Sequence, residues 1–260
     1  MRLAWLPVLL ALLGASGYAA SSPSVEDINA VSDAYLQGYR ASATEADAWE
    51  AALARDPNQP AVRERLIGWC SHRRFKDGNA RDRLAAHVMF VIGHYPASPY
   101  ASAAANMYLF SGVDGAVLYE PARKAWLAAV AAQPADGNIL LNAASFLELE
   151  DRATSEKLLK QGMGAEPKNP AWHERLGQLY LRQTLVAEDA GAKYASASKA
   201  LQELERASAL MPTEDERLQI MGEDVKSSYM VDRTDKTTDY ATRWLKEVPV
   251  GRWDYANAQH

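Results

Sequence analysis

Cys70 and His72 set a lone thiol two residues from an imidazole. On a helix, positions i and i+2 point to different faces, so the two side chains do not meet as nucleophile and base. Cys70 is the only cysteine of the chain. It has no partner for an internal disulfide, and it reads as a buried packing residue. His87 and His94 stand seven apart in a helical stretch and share a face. Two turns put about 10 Å between them, too far for one metal ion. No HExxH or Cys/His cluster occurs, nor does a GxSxG, Walker or dinucleotide-binding glycine pattern. The expectation is a protein that is not an enzyme, with no catalytic residue, metal site or cofactor. A pocket holding His87 or His94 with a carboxylate is the observation that would argue otherwise.

Charge is gathered in three short runs: HRRFK at 72–76, ELED at 148–151 and EDE at 214–216. The first two fall where helix–helix turns are expected, and solvated charge is normal there. The third occupies the first turn of an expected helix, where negative charge suits the helix dipole. The chain carries 28 basic and 33 acidic residues, a net charge of −5. A mildly acidic protein is poorly suited to nucleic acid or to anionic membrane surfaces.

The first 19 residues read as a secretory leader: Arg2, an apolar run from Leu3 to Leu13, then small residues with Gly17 and Ala19 spaced for cleavage. Later apolar stretches such as AWLAAVAA at 125–132 are far too short to span a bilayer. The expected location is extracytoplasmic, periplasmic or secreted, in a bacterial setting.

The elements that would carry any site are marked by proline. Asp56-Pro57, Tyr95-Pro96, Gln133-Pro134, Glu166-Pro167 and Met211-Pro212 each close an apolar-periodic segment, at intervals of 39, 38, 33 and 45 residues. Before three of these prolines the same triplet recurs at fixed offsets: Ala122-Trp126-Ala129, Ser155-Leu159-Gly162 and Ala200-Leu204-Ala207. Offsets of four and seven share one helix face. Small side chains there admit a neighbouring helix, the large one fills the gap, and the residue before proline leaves the α region. A second helix follows each proline, with Leu66 and Cys70, Leu176-Gly177 and Tyr180, or Met221-Gly222 and Val225 in matching places. Ser98-Pro99 and Asn169-Pro170 pair a capping residue with a proline suited to the first helical position. Thr213 with Glu216 forms a capping-box pattern. The stretches QPAVRERLIGWC (59–70) and NPAWHERLGQLY (169–180) echo each other 110 residues apart. A repeat array explains the echo.

Small-large-small-Pro followed by Leu-Gly-x-x-Tyr resembles the tetratricopeptide repeat. The resemblance is best over 168–212 and 135–167, partial over 97–134, and weakest at 58–96, where Leu84, Val88 and Val91 replace the triplet. It implies an all-α, right-handed solenoid of antiparallel helix pairs, about five units over 44–249. A helical cap would span 20–43 and a tail 250–260. The long fourth interval, around 183–192, calls for a longer helix or an inserted loop.

The resemblance further implies that the first helix of each unit lines a concave groove for a protein or peptide. By register the groove carries Arg65 and His72, then Asn142, then Arg175, Gln178 and Arg182. Glu64, Ser145, Glu174, Glu223 and Lys226 flank them. Arg65 and Arg175 are equivalent residues of the echo, and two guanidiniums suit an acidic partner. The expected function is an exported, non-catalytic scaffold that binds a protein or peptide segment, without nucleic acid or stable membrane insertion. The alternative is a helical enzyme, or an accessory subunit of one, with an unrecognised pocket. A third reading has the array self-associate through Trp253 and Tyr255.

Overall fold

The computed structural model describes residues 25–105, 115–213 and isolated positions from 217 to 242. Among these the regular structure is helical throughout, with ten helices up to Leu210, further helical positions between 217 and 242, and no strand. They are α1 (Val25–Arg40), α2 (Ala43–Arg55), α3 (Pro60–Ser71), α4 (Gly78–His94), α5 (Pro99–Ala105), α6 (Gly115–Ala132), α7 (Gly137–Leu147), α8 (Arg152–Ala165), α9 (Pro170–Val186) and α10 (Ala190–Leu210). None is long and apolar enough to cross a membrane. The expected leader and 250–260 tail, with Glu216, Glu223, Lys226, Trp253 and Tyr255, lie outside the described residues.

The five X-Pro pairs that mark the period each follow the end of a helix, as their chemistry dictates. Helices α2, α4, α6, α8 and α10 all stop at the residue before the pair. Helix α3 has no side-chain cap, but α5, α7 and α9, which follow the later proline turns, are capped from the side chain, α7 by Asp136. Ser98 accepts from the Ala101 amide at 3.2 Å and Asn169 from the Ala171 amide at 3.1 Å. Pro121 lies inside α6 and interrupts the rule that proline ends a helix. The long fourth interval is absorbed by helix length, since α9 has 17 residues and α10 has 21.

The triplets pack as their spacing requires. Ala122, Trp126, Ser155, Leu159, Ala200, Leu204 and Ala207 are buried. A Cβ on Gly162 would lie 2.3 Å from the ring of Trp172, and one on Gly177 would lie 2.6 Å from Leu204 Cγ. The glycines are therefore sockets for large side chains of the neighbouring helix. Leu84, Val88 and Val91 are fully buried in the unit that departs from the pattern.

Helices pack mainly on near neighbours in the chain: α3 on α4, α7 on α8, α8 on α9 and α9 on α10. Alternate helices also meet, with α5 on α7 and α4 on α6. One core cluster runs from Ala41 to Ala200. The N-terminal helix behaves differently. α1 packs on α3 and α5 rather than on α2, its sequence neighbour. A Cβ on Gly38 would come within 1.8 Å of the Arg65 carbonyl oxygen, and one on Gly68 within 2.2 Å of that of Tyr35. Two glycines thus let the α1 and α3 backbones meet directly.

Candidate functional site

The six expected groove residues fall into three environments. Arg65 and His72 face α1. Arg65 Nε donates to Gln37 Oε1 at 3.0 Å, and the His72 ring tilts against Tyr39 at 4.5 Å between centroids. Burial holds the His72 imidazole below its ordinary pKa, assisted by Arg73. Asn142 is buried, and its amide donates to the carbonyl of Pro96 at 2.9 Å. It ties α7 to the turn before α5.

Arg175, Gln178 and Arg182 come together on one half-exposed stripe of α9, against α7. Arg175 donates to Ser145 Oγ through Nη2 and to Gln178 Oε1 through Nη1 at 3.2 Å. Gln178 Nε2 donates to Glu174 Oε1 at 3.1 Å. Arg182 grips Glu148 with both arms, Nε to Oε1 and Nη2 to Oε2 at 2.6 Å. Positions 175, 178 and 182 follow helical spacing, and Ser145 and Glu148 answer them from α7 in the same order. The result is a row of guanidinium, amide and carboxylate groups held by one another.

The echo now has a physical meaning. Arg65 and Arg175 each bond the side chain of another helix, Gln37 of α1 and Ser145 of α7. Glu64 and Glu174 differ. Glu174 is half-buried, whereas Glu64 is only 1% exposed and its Oε2 has no hydrogen-bond partner. Helices α1, α2, α4 and α5 all pack on α3, so Glu64 lies inside the protein rather than along an open groove. Burial pushes its carboxyl up to about 8.

A second polar cluster sits where α2, α3 and α4 meet. His87 Nε2 lies 3.1 Å from Glu50 Oε1, and His87 Nδ1 lies 3.4 Å from Arg63 Nη1. A guanidinium can only donate, so Nδ1 accepts and Nε2–H donates to Glu50. Arg83 Nε adds a bond to the same carboxylate oxygen at 2.9 Å. The His87 hydrogen bond holds the Glu50 carboxyl below its ordinary range, with Arg83 assisting and burial opposing. Arg63 also donates twice to the Pro57 carbonyl and lies 3.3 Å over the Phe90 ring. His94 stacks on the other partner of this group, Phe90, at 3.7 Å.

Sequence reasoning missed a third pair. His173 Nδ1 lies 2.6 Å from Glu203 Oε2, and both residues are buried between α9 and α10. The available signal was register: His173, Leu176, Gly177 and Tyr180 share a face, as do Ala200, Glu203, Leu204 and Ala207. Cys70 is fully buried, and burial pushes its thiol up to about 12.

A scan of protein-family models finds none that matches this chain, and a search of curated proteins finds no match either.

Proposed function

We propose that this chain is an exported, non-catalytic scaffold whose helix pairs stack as a right-handed, tetratricopeptide-like solenoid. It binds a protein or peptide segment along the α7/α9 face. The observation that carries this reading is the row Arg175, Gln178 and Arg182, half-exposed and fixed by Ser145 and Glu148. Side chains already held in place lose little rotamer freedom on binding. Fixed guanidiniums favour carboxylates and carbonyl oxygens of the bound segment. Packing of α5 on α7 and of α4 on α6 supports stacked pairs.

The enzyme reading has the His87–Glu50 pair in its favour, a histidine beside a carboxylate. Both His87 ring nitrogens are engaged and the residue is 4% exposed, so neither is directed at a substrate. The pair instead pins α2 to α4.

The test is capture from the extracytoplasmic fraction, followed by titration of the purified partner. Arg175→Ala/Arg182→Ala should weaken binding about tenfold or more, with circular dichroism unchanged. Lys168→Ala, on an exposed turn, should bind as wild type. Equal binding by all three proteins would sink the assignment of this face.

A further inference from the structure

We infer that α1 is a strap that lifts off α3 as a unit, and that the buried Glu64 side chain beneath it is the switch. Opening concerns α1 alone, so it does not depend on segment binding at the α7/α9 face.

α1 departs from the pairing of its counterpart in the echo. Shifted by 110 residues, α1 to α4 fall on α7 to α10. α7 packs on its neighbour α8, and Ser155 of α8 donates to the Ala144 carbonyl of α7 at 2.8 Å. α1 packs instead on α3 and α5. The α2 residue in the place of Ser155 is Glu45, which is exposed and turned back to accept from the Ser42 amide at 2.9 Å. α1 thus covers Glu64 and Gly68 of α3, which are buried. Their counterparts on α9, Glu174 and Gln178, are half-exposed.

The hold of α1 is thin. Among its described residues only Val31, Ala34 and Gly38 are buried. The continuous core starts at Ala41 and includes neither Val31 nor Ala34, with Tyr35 packed on its margin. Two side-chain hydrogen bonds add to the seat, Tyr35 to Ser71 at 2.8 Å and Arg65 to Gln37 at 3.0 Å. An element with few buried apolar contacts opens at lower free energy than the core it rests on.

The seat also encloses a carboxyl. Glu64 lies one turn before Gly68, on the face that Tyr35 meets. It is 1% exposed and its Oε2 has no hydrogen-bond partner. Tyr100 of α5 is coupled to Glu64, and also to Arg65 and to Asp27 of α1. Arg65 is engaged with Gln37. From α2 and α4, Glu50, Arg83 and His87 bond one another, and Arg63 is turned to His87. Burial is what raises the Glu64 carboxyl. Protonated, Glu64 is tolerated under α1. Ionised, it is an enclosed charge without a partner, which is costly, and lifting the thinly held helix gives it water.

The experiment is amide hydrogen exchange, resolved by helix, across about pH 5 to 9. Wild-type α1 should be less protected than α8 and α9, and its exchange should respond less to urea, as local opening does. After correction for the intrinsic exchange rate, its protection should fall about tenfold per pH unit up to about 8 and then level off. In Glu64→Gln the protection of α1 should be independent of pH. Tyr35→Phe removes the bond to Ser71 and should speed α1 exchange about fivefold at every pH, with the wild-type slope kept. Exchange of α1 with the protection and urea response of α8 and α9 would overturn the strap, as would an unchanged α1 in Tyr35→Phe. A Glu64→Gln protein that keeps the wild-type slope would overturn the switch.

Discussion

Glu64 is a carboxyl enclosed by four helices, and that fixes how stability should respond to pH. Its pKa rises from an ordinary 4.5 to about 8 on folding. Between those values the folded chain keeps a proton that the unfolded chain has lost. The stabilising contribution is therefore complete below about 4.5 and is lost as pH rises through about 8. Wild type should lose a few kcal/mol across this window relative to Glu64→Gln, at about 1.4 kcal/mol per tenfold change in proton affinity. Urea melts of both proteins at several pH values give the comparison, and parallel curves would refute it. Cys70 makes a second prediction at this scale. A buried thiol raised to about 12 should resist a thiol reagent at mildly alkaline pH and react when the chain unfolds. Rapid labelling of the native protein would contradict this.

Among the elements, α1 depends on two glycines. A methyl group at Gly38 or Gly68 meets main-chain oxygen, not a flexible side chain, so the helices must separate. Gly38→Ala and Gly68→Ala should each cost about 1–3 kcal/mol, and hydrogen exchange should rise throughout α1. Unchanged protection in α1 would show that the contact is dispensable. The sequence made the even helices legible because X-Pro chemistry is local: each stop is set by one dipeptide. The triplets were legible for the same reason. The covering of α3 was not, because it depends on a helix about thirty residues upstream. The echo differs at this very point, with Gly68 where Gln178 stands in the later copy. Register alone grouped Arg65 and His72 with Arg175 and Arg182, whereas α1 lies against the first two. Spacing relates His87 to His94, but its partner Glu50 lies on another helix, beyond the reach of spacing arguments.

At the scale of the molecule, one core continues from Ala41 to Ala200 and contains Trp69, Trp126 and Trp172. Units sharing a continuous core lose their independence, so unfolding should be cooperative. Tryptophan fluorescence and far-ultraviolet circular dichroism should report the same denaturant midpoint. Separated midpoints would show that the units melt one after another, as weakly coupled repeats do.

The seat of α1 also sets an order of assembly as the chain is made. Synthesis proceeds from the N-terminus, so α1 and α2 emerge before α3 does. α1 makes its contacts with α3 and α5 instead of α2, and Gly38 has no surface to meet until Arg65 arrives. Helix α1 must wait for α3, and its apolar stripe of Val31 and Ala34 stays open to solvent, or to a chaperone, throughout that delay.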